Sequence, residues 1–231
     1  MLGDEDAFRR SIDQAIAYAQ ATDCRRVHVL IGNGPPDAVA VRRLREAARR
    51  FSGHGVALML EALNPLDQPG YALPDLAAAD ALRIAIGEAN VRLQLDAYHL
   101  LRSGGDPLAA FDRLGGHVGH IQIADPSDRG EPSEPVLFDV LDTVAASGWD
   151  GFVGAEYNPR GKTAAGLGWA RRYGVVPGNG PMADVRHCIT IADLRAMARR
   201  RLPESPSCRW RRGAATDRGP SATSRHSGAS R

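Results

Sequence analysis

The sequence lacks the features that mark secreted, membrane-spanning and thiol-based proteins. Its first residues, MLGDEDAFRR, are acidic and polar, so they do not form the apolar core of a signal peptide. No apolar run approaches the ~18 residues that a membrane-spanning helix needs. The three cysteines, Cys24, Cys188 and Cys208, form no C-x-x-C pair, which argues against a thiolate metal cluster. Cys24 is expected to be a small buried residue. These absences predict a soluble, cytoplasmic protein.

Lysine is almost missing, since Lys162 is the only one. The formal net charge is only +2, so neither a nucleic acid nor a membrane surface is expected as a partner. Six arginines and two acidic residues follow Pro203, so the mild basicity belongs to the end of the chain. No G-x-G-x-x-G motif follows a predicted strand, which leaves a dinucleotide cofactor without support. The sequence therefore favours a small-molecule substrate.

Helix and strand patterns alternate over residues 4–173, in a chain of 231 residues that is long enough to bury a sizeable core. Short β-branched runs predict strands at 27–31, 56–60, 91–95, 118–123 and 152–155. Apolar residues at helical spacing predict helices at 5–21, 37–51, 74–87 and 134–146, and one more after the turn at 104–107. This alternation is typical of an α/β fold with parallel strands and right-handed crossovers. An open doubly wound sheet and five-eighths of a barrel both fit it.

Polar residues that can bind a hard metal follow four of the five predicted strands. They are Glu61, Asp96, Gln122 and Glu156, at intervals of 35, 26 and 34 residues. In a (β/α)8 barrel the carboxyl ends of the strands surround one pocket, so these side chains would converge there. Three converging carboxylates would repel one another unless a cation lay between them. Ligation by oxygen atoms favours Mg²⁺ or Mn²⁺ over zinc.

Four segments of the chain resemble the sequence blocks of the hydroxypyruvate isomerase family, which belongs to the xylose isomerase-like TIM barrels. They are LMLEALN (58–64), LQLDAYHLLR (93–102), GHIQIADPSDRGEP (119–132) and GFVGAEYNPRGKTAAGLGW (151–169). The resemblance implies that residues 1–174 form part of a (β/α)8 barrel, with about five of its eight βα units, strands four to eight. The chain is then expected to be truncated at its amino end, with dimerisation of the half-barrel as one alternative.

The resemblance also implies an activity and a set of site residues. Glu61, Asp96, Gln122 and Glu156 would be the metal ligands, and Glu61 and Glu156 would also donate and accept the proton. The implied reaction interconverts hydroxypyruvate and 2-hydroxy-3-oxopropanoate through an enediolate. Three alternatives remain open: a non-catalytic barrel remnant, a ketose epimerase and an inosose dehydratase. An endonuclease relative would need several histidines around a zinc cluster, and the sequence does not suggest such a set.

Three further residues are candidates for contact with the substrate. His99, three residues after Asp96, is expected to polarise a substrate oxygen. The guanidinium of Arg129 matches the geometry of a substrate carboxylate. Asp67, on the loop after Glu61, is expected either to contact the substrate or to support the residues that do. The remaining histidines of this part of the chain are interpreted as structural, among them His28, His54 and His117.

The carboxyl-terminal part departs from this pattern. Residues 175–181 read as a linker, and residues 182–203 resemble the start of an FMN-dependent α-hydroxy acid dehydrogenase. Residues 204–231 are rich in arginine and serine and have no apolar periodicity, so we expect them to be disordered.

Overall fold

A computed structural model describes residues 4–175 of the chain. The predictions for residues 176–231 therefore lie outside the described residues. The described part alternates strands and helices in this order: α1 Glu5–Thr22, β1 Arg26–His28, α2 Ala38–Ser52, β2 Ala57–Glu61, α3 Leu76–Ile86, β3 Val91–Asp96, α4 Ala97–Arg102, α5 Pro107–Leu114, β4 Val118–Ile123, α6 Pro135–Ala146, β5 Val153–Ala155 and α7 Thr163–Gly166. Two 3₁₀ helices, Gly115–His117 and Leu167–Tyr173, complete it.

Aspartate residues cap the amino ends of most helices. The side chain of Asp37 accepts a hydrogen bond from the amide of Ala40 at the start of α2, over 2.7 Å. Equivalent bonds to side chains of Asp4, Asp75, Asp96 and Asp106 begin α1, α3, α4 and α5. Such a cap satisfies an amide that has no partner within the helix, and its loss typically costs about 1 kcal/mol.

The five strands form one parallel sheet in the order β1-β2-β3-β4-β5. Consecutive parallel neighbours with helices between them make a half-barrel, which is the partial (β/α)8 architecture predicted from the sequence. The core lies between the sheet and its helices. It includes the fully buried side chains of Leu44, Leu58, Leu60, Leu93, Ile121 and Leu137. The carboxyl ends of all five strands consequently lie along one edge of the sheet.

The structure differs from the sequence predictions in three places. Strand β1 covers Arg26–His28 and ends three residues before the predicted limit, and the backbone has a positive φ of 95° at Gly32, while Ile31 is still buried in the core. Helix α4 was not predicted, since its six residues are too short to show a period. Cys24, which a sequence reading takes for a small buried residue, is exposed.

The concave face of the sheet is crossed by Arg26 of β1. Its Nε donates a hydrogen bond to the carbonyl oxygen of Gly119 on β4 over 2.6 Å. The same guanidinium lies 5.2 Å from the ring centroid of Phe152, which immediately precedes β5. These contacts connect β1 with β4 and with the residue before β5 across the interior of the half-barrel. Within residues 4–175, no helix has the length and apolarity to cross a bilayer.

Candidate metal and substrate site

The strand register brings the four predicted metal ligands to one edge of the sheet. Asp96 on β3 lies opposite Gln122 on β4, and Glu61 on β2 lies opposite Gln94 on β3. The amide of Glu156, just beyond β5, donates a hydrogen bond to the carbonyl oxygen of Ile123 over 3.2 Å. The side chains therefore follow adjacent strand ends in the order in which the sequence presents them.

Glu61 and Asp96 form the buried centre of this site. Candidate ligand atoms of Glu61, Asp96 and His99 all lie within 4.8 Å of one another. Burial, with smaller contributions from the nearby carboxylates of Asp96 and Glu156, raises the pKa of Glu61 to about 8. Burial also raises the pKa of Asp96 to about 6, again with a contribution from Glu156. The cluster thus holds acidic groups that are costly to ionise without a compensating positive charge.

One oxygen of this cluster has no hydrogen-bond partner. Oε1 of Glu61 is buried and unpaired, whereas Oε2 lies 3.1 Å from Nε2 of His28. A buried carboxylate oxygen without a donor is destabilising on its own, and a cation would satisfy it. Carboxylate and amide oxygens are also the ligands that Mg²⁺ and Mn²⁺ prefer. The neighbouring carboxylates of Glu61 and Asp96 could therefore hold a divalent cation.

Gln122 already makes one contact within the site. Its Oε1 accepts a hydrogen bond from Nε2 of Gln94, two residues before Asp96 on the same face of β3. An amide carbonyl oxygen has two lone pairs, so this bond leaves one of them for a second partner. The side chain of Gln94 also lowers the pKa of Glu61, against the rise that burial causes. Gln94 thus connects two of the predicted ligands.

Glu156 is the most open of the four, with its side chain 50% exposed. Its Oε2 accepts a hydrogen bond from Arg129 over 3.0 Å. The guanidinium of Arg129 also lies 4.7 Å from the ring centroid of Tyr98, within the range of a cation–π interaction. Arg129 is therefore at the mouth of the site, between a predicted ligand and an aromatic ring.

The loop that carries Arg129 is built around the fully buried Asp125. The carboxylate of Asp125 accepts hydrogen bonds from the amide and hydroxyl groups of both Ser127 and Ser133. Burial would raise the pKa of Asp125, but these bonds outweigh it and lower the pKa to about 2. Arg129 itself has a left-handed backbone with φ of 55°, and its amide donates to the carbonyl of Asp125.

A second set of contacts joins this loop to the one that follows β5. Arg160 donates two hydrogen bonds to the carboxylate of Asp128, over 2.7 and 2.8 Å, and its amide contacts the carboxylate of Glu131. The amide of Asn158 donates to the carbonyl oxygen of Arg129 over 2.8 Å. These contacts, named here the loop bridge, connect the two segments that hold Arg129 and Glu156.

His99 faces the carboxylates through its Nε2, which lies 3.7 Å from Oδ2 of Asp96. Its Nδ1 accepts a hydrogen bond from the backbone amide of Asn64 over 3.1 Å. Burial lowers the pKa of His99 to about 4, so its ring is neutral near pH 7. A neutral ring that accepts at Nδ1 has its proton on Nε2. His99 therefore offers the site an N–H donor rather than a lone pair for a metal.

Asp67 lies on the loop after β2, and its carboxylate accepts hydrogen bonds from neighbouring side chains. Its Oδ2 accepts hydrogen bonds from the hydroxyl of Tyr98 over 2.6 Å and from Nδ2 of Asn64 over 2.9 Å. Its Oδ1 lies 3.3 Å from a guanidinium nitrogen of Arg102. The bond from Tyr98 is the largest cause that lowers the pKa of Asp67 to about 2.

Sequence reasoning missed two residues of the site. His28 was interpreted as structural because it lies at the start of the predicted strand 27–31; the observed strand ends at His28, whose ring contacts Glu61. Gln94 was overlooked, although side chains two residues apart on a strand share a face and Asp96 was already a candidate. Burial lowers the pKa of His28, so its ring is a neutral partner of Glu61 near pH 7.

Comparison with known proteins relates the chain to a family of barrels. The sequence model of the xylose isomerase-like TIM barrel matches residues 3–173. The 2-oxo-tetronate isomerase of Pectobacterium atrosepticum is 42% identical over 178 residues, which cover 72% of this chain and 66% of that protein. The hydroxypyruvate isomerase of Escherichia coli K12 is 33% identical over 180 residues, which cover 74% of this chain and 70% of that protein.

Solved structures show the same relationship. A crystal structure from Brucella melitensis, described as an AP endonuclease of family 2, is 37% identical with a TM-score of 0.65, over 73% of this chain and 69% of that one. The 3-keto-D-glucoside 4-epimerase of Escherichia coli is 20% identical with a TM-score of 0.57, over 74% of each chain, and shares the fold. The alignment spans 66% of the Pectobacterium isomerase and 70% of the Escherichia coli one.

Proposed function

Because this chain belongs to the xylose isomerase-like TIM barrel family and is an isomerase by that relationship, we propose that it interconverts hydroxypyruvate and 2-hydroxy-3-oxopropanoate with the help of Mg²⁺ or Mn²⁺. The observation that supports this most directly is the buried, unpaired Oε1 of Glu61 beside Asp96. An oxygen in that position suits a hard cation, and a hard cation suits a substrate with neighbouring carbonyl and hydroxyl oxygens.

The proposed chemistry moves one proton between adjacent carbons. A divalent cation, when bound, supplies positive charge that stabilises the negative charge developing on the substrate oxygens. The chain supplies the rest: one of Glu61 and Glu156 removes the proton from C3, and the same or the other carboxyl group returns a proton to C2. The hydroxyl proton on O3 passes to O2, so that the carbonyl and hydroxyl groups exchange places. General acid–base catalysis of this kind is worth about 10²–10⁴-fold in rate.

Two basic side chains orient the substrate in this proposal. Arg129 lies at the open side of the site, and its planar guanidinium can bind the two oxygens of the substrate carboxylate. The Nε2–H of His99 can donate a hydrogen bond to the oxygen that gains negative charge as the C–H bond breaks. Neither group forms a hydrogen bond with the oxygens of Glu61 and Asp96 that would bind a cation.

The test is an assay of the full chain with hydroxypyruvate after removal of metal, followed by addition of Mg²⁺ or Mn²⁺. We expect turnover only with added metal, and a fall of about 10²–10⁴-fold in kcat for Glu156→Gln. Glu88→Gln is the matched control, because Glu88 pairs with Arg49 before β3, at the opposite edge of the sheet. Unchanged turnover by Glu156→Gln would rule out its role in proton transfer.

A second substrate is favoured by the relatives named 2-oxo-tetronate isomerase, which reach 38% and 42% identity, against 33% for the Escherichia coli hydroxypyruvate isomerase. Hydroxypyruvate and 2-oxo-tetronate share a 3-hydroxy-2-oxo acid core, so the same proton transfer applies to both. Comparing kcat/KM for the two acids, with product identification by NMR, decides between them. The products also separate an isomerase from a ketose epimerase or an inosose dehydratase.

We do not extend the proposal to an endonuclease. The Brucella structure is described by that name, but several histidines around zinc would be needed for such a site. Among residues 4–175, the group of candidate metal ligands contains two carboxylates and one histidine, and that histidine presents an N–H. A site for a hydroxy-oxo acid is the better match to this donor set.

A further inference from the structure

We propose that Asp67 does not bind the substrate but is a positioning residue that orients His99 through Asn64, and Arg129 through Tyr98. Three donors already occupy its carboxylate, from Tyr98, Asn64 and Arg102. These donors take three of the roughly four acceptor positions of the carboxylate, which leaves little room for a substrate hydroxyl. The consequence for catalysis rests on the proposed function above, whereas the consequence for the conformation of the two side chains does not.

The first branch runs from Asp67 to His99. Nδ2 of Asn64 lies 2.9 Å from Oδ2 of Asp67 and 2.7 Å from Nδ1 of His99, so one amide group can donate a hydrogen to each. The acceptor on Asp67 fixes which way the Asn64 amide points, because a flipped amide would set its oxygen against a carboxylate. Asn64 is 1% exposed, so water would not supply the hydrogen bond that Asp67 loses if the Asn64 amide flips. The Nε2–H form of His99 is thereby selected twice, by the backbone and by the side chain of Asn64.

The reverse contact strengthens this branch. The amide of Asp67 donates to Oδ1 of Asn64 over 2.9 Å, so both ends of the Asn64 side chain are held by the same residue. Residues 64–67 therefore form a closed unit with few alternative conformations. A closed unit of this kind transmits the position of Asp67 directly to the ring of His99.

The second branch runs from Asp67 to Arg129. The hydroxyl of Tyr98 donates to Asp67, and the ring of Tyr98 lies beneath the guanidinium of Arg129. The ring of Tyr98 also meets the ring of His99 edge to face, at 5.1 Å between centroids. Tyr98 is 6% exposed, so its ring is a fixed surface against which Arg129 rests. Removal of the acceptor would free this ring and with it the direction of the guanidinium.

The experiment compares Asp67→Ala, Asp67→Asn and Asp142→Ala in the full chain. Asp142 on α6 is a close match, because it also accepts hydrogen bonds from a tyrosine hydroxyl and an arginine, Tyr173 and Arg172. Three quantities are measured: the ¹⁵N NMR signals of the His99 ring, the affinity for Mn²⁺ alone, and kcat and KM for hydroxypyruvate and 2-oxo-tetronate.

We expect Asp67→Ala to lower kcat/KM by about 10–100-fold, the usual effect of removing a residue that orients a functional side chain. Its His99 ¹⁵N signals should change from one Nε2–H form to a mixture of tautomers, while the affinity for Mn²⁺ stays the same. Asp67→Asn keeps an acceptor for Tyr98 and Asn64, so it should recover most of the loss. Asp142→Ala should match the natural chain in all three measurements.

Two outcomes would overturn the proposal. A rise in KM alone, with unchanged His99 signals, would make Asp67 a direct ligand of the substrate. An equal loss in Asp142→Ala would mean that any such deletion weakens the protein as a whole. Should the natural chain turn over neither acid, the proposed function fails, and the ¹⁵N signals of His99 still decide whether Asp67 orients that ring.

Discussion

At the scale of single residues, the site joins two demands that oppose each other. Glu61 is 4% exposed, which suits tight binding of a cation but makes its ionised form unstable when no cation is bound. The folded protein therefore holds a proton on Glu61 that the unfolded chain releases near pH 4.5. Natural sites commonly give up stability in this way for the sake of function.

The substitution Glu61→Gln separates these two demands. Without metal at pH 7, we expect the variant to be more stable than the natural chain, by about 1–3 kcal/mol in the free energy of unfolding, because an amide needs no proton. Its affinity for Mn²⁺ should fall by about tenfold or more, since it loses a charged ligand. Urea denaturation with EDTA measures the first effect, and calorimetric titration with Mn²⁺ measures the second.

The same variant at pH 4 supplies the control. Below pH 4.5, Glu61 is protonated in the folded and the unfolded chain alike, so the advantage of Glu61→Gln should vanish. A stabilisation that persists unchanged at pH 4 would mean that better packing, and not the proton, is its cause.

At the scale of secondary-structure elements, the central strand β3 holds the site in place. It has a strand on each side, presents Gln94 and Asp96 to the site, and packs the fully buried Leu93 and nearly buried Leu95 against the helices. The edge strand β5 has only three residues, and Val153 within it is 36% exposed. The two strands therefore differ in how much apolar area they bury.

We expect Leu93→Ala to cost about 2–5 kcal/mol in the free energy of unfolding, the usual effect of a cavity in a well-packed core. Val153→Ala should cost less than about 1 kcal/mol, because its side chain is already partly in water. Urea denaturation of both variants checks the comparison. Equal losses would show that the edge strand is packed as tightly as the centre, contrary to its exposure.

The elements and most of the strand-end residues were predictable from the sequence because each depends on local pattern. Glu61 and Asp96 follow predicted strands and Gln122 lies near the end of one, and the register of a parallel sheet then brings such ends together. His28 was not predictable, because the apolar run continues to Ile31 while the chain leaves the sheet earlier. The orientation of Arg129 depends on contacts with distant residues, which no local pattern records.

At the scale of the whole molecule, the described part is a half-barrel with a group of acids along one edge. Two of these acids, Glu61 and Asp96, have raised pKa values, so each keeps a proton in the metal-free folded protein that it releases from the unfolded chain at intermediate pH. Their contribution to stability falls as pH rises through that interval, which is the sign opposite to that of a carboxylate held in an ion pair.

We expect the free energy of unfolding of the metal-free protein to decrease between pH 7 and pH 8, by up to about 1.4 kcal/mol per pH unit, because Glu61 still binds a proton there. The histidines of lowered pKa do not oppose this trend, since they are largely neutral in both states above pH 7. A divalent cation should reverse the trend, because it binds the ionised carboxylates of the folded state and not the unfolded chain. Urea denaturation at several pH values, with EDTA or with Mn²⁺, measures both slopes. A rise in stability from pH 7 to pH 8 in the metal-free protein would contradict the burial of Glu61.

The loop bridge has a consequence for motion at the mouth of the site. Because Arg160 and Asn158 form hydrogen bonds between the loop after β4 and the loop after β5, we expect the two loops to move together. Arg129 lies on the first of these loops and Glu156 on the second, so their charges should shift in the same direction when the loops move. The distance between these two charges should therefore stay nearly constant while the mouth of the site fluctuates, so an entering substrate would meet a gap of nearly fixed width.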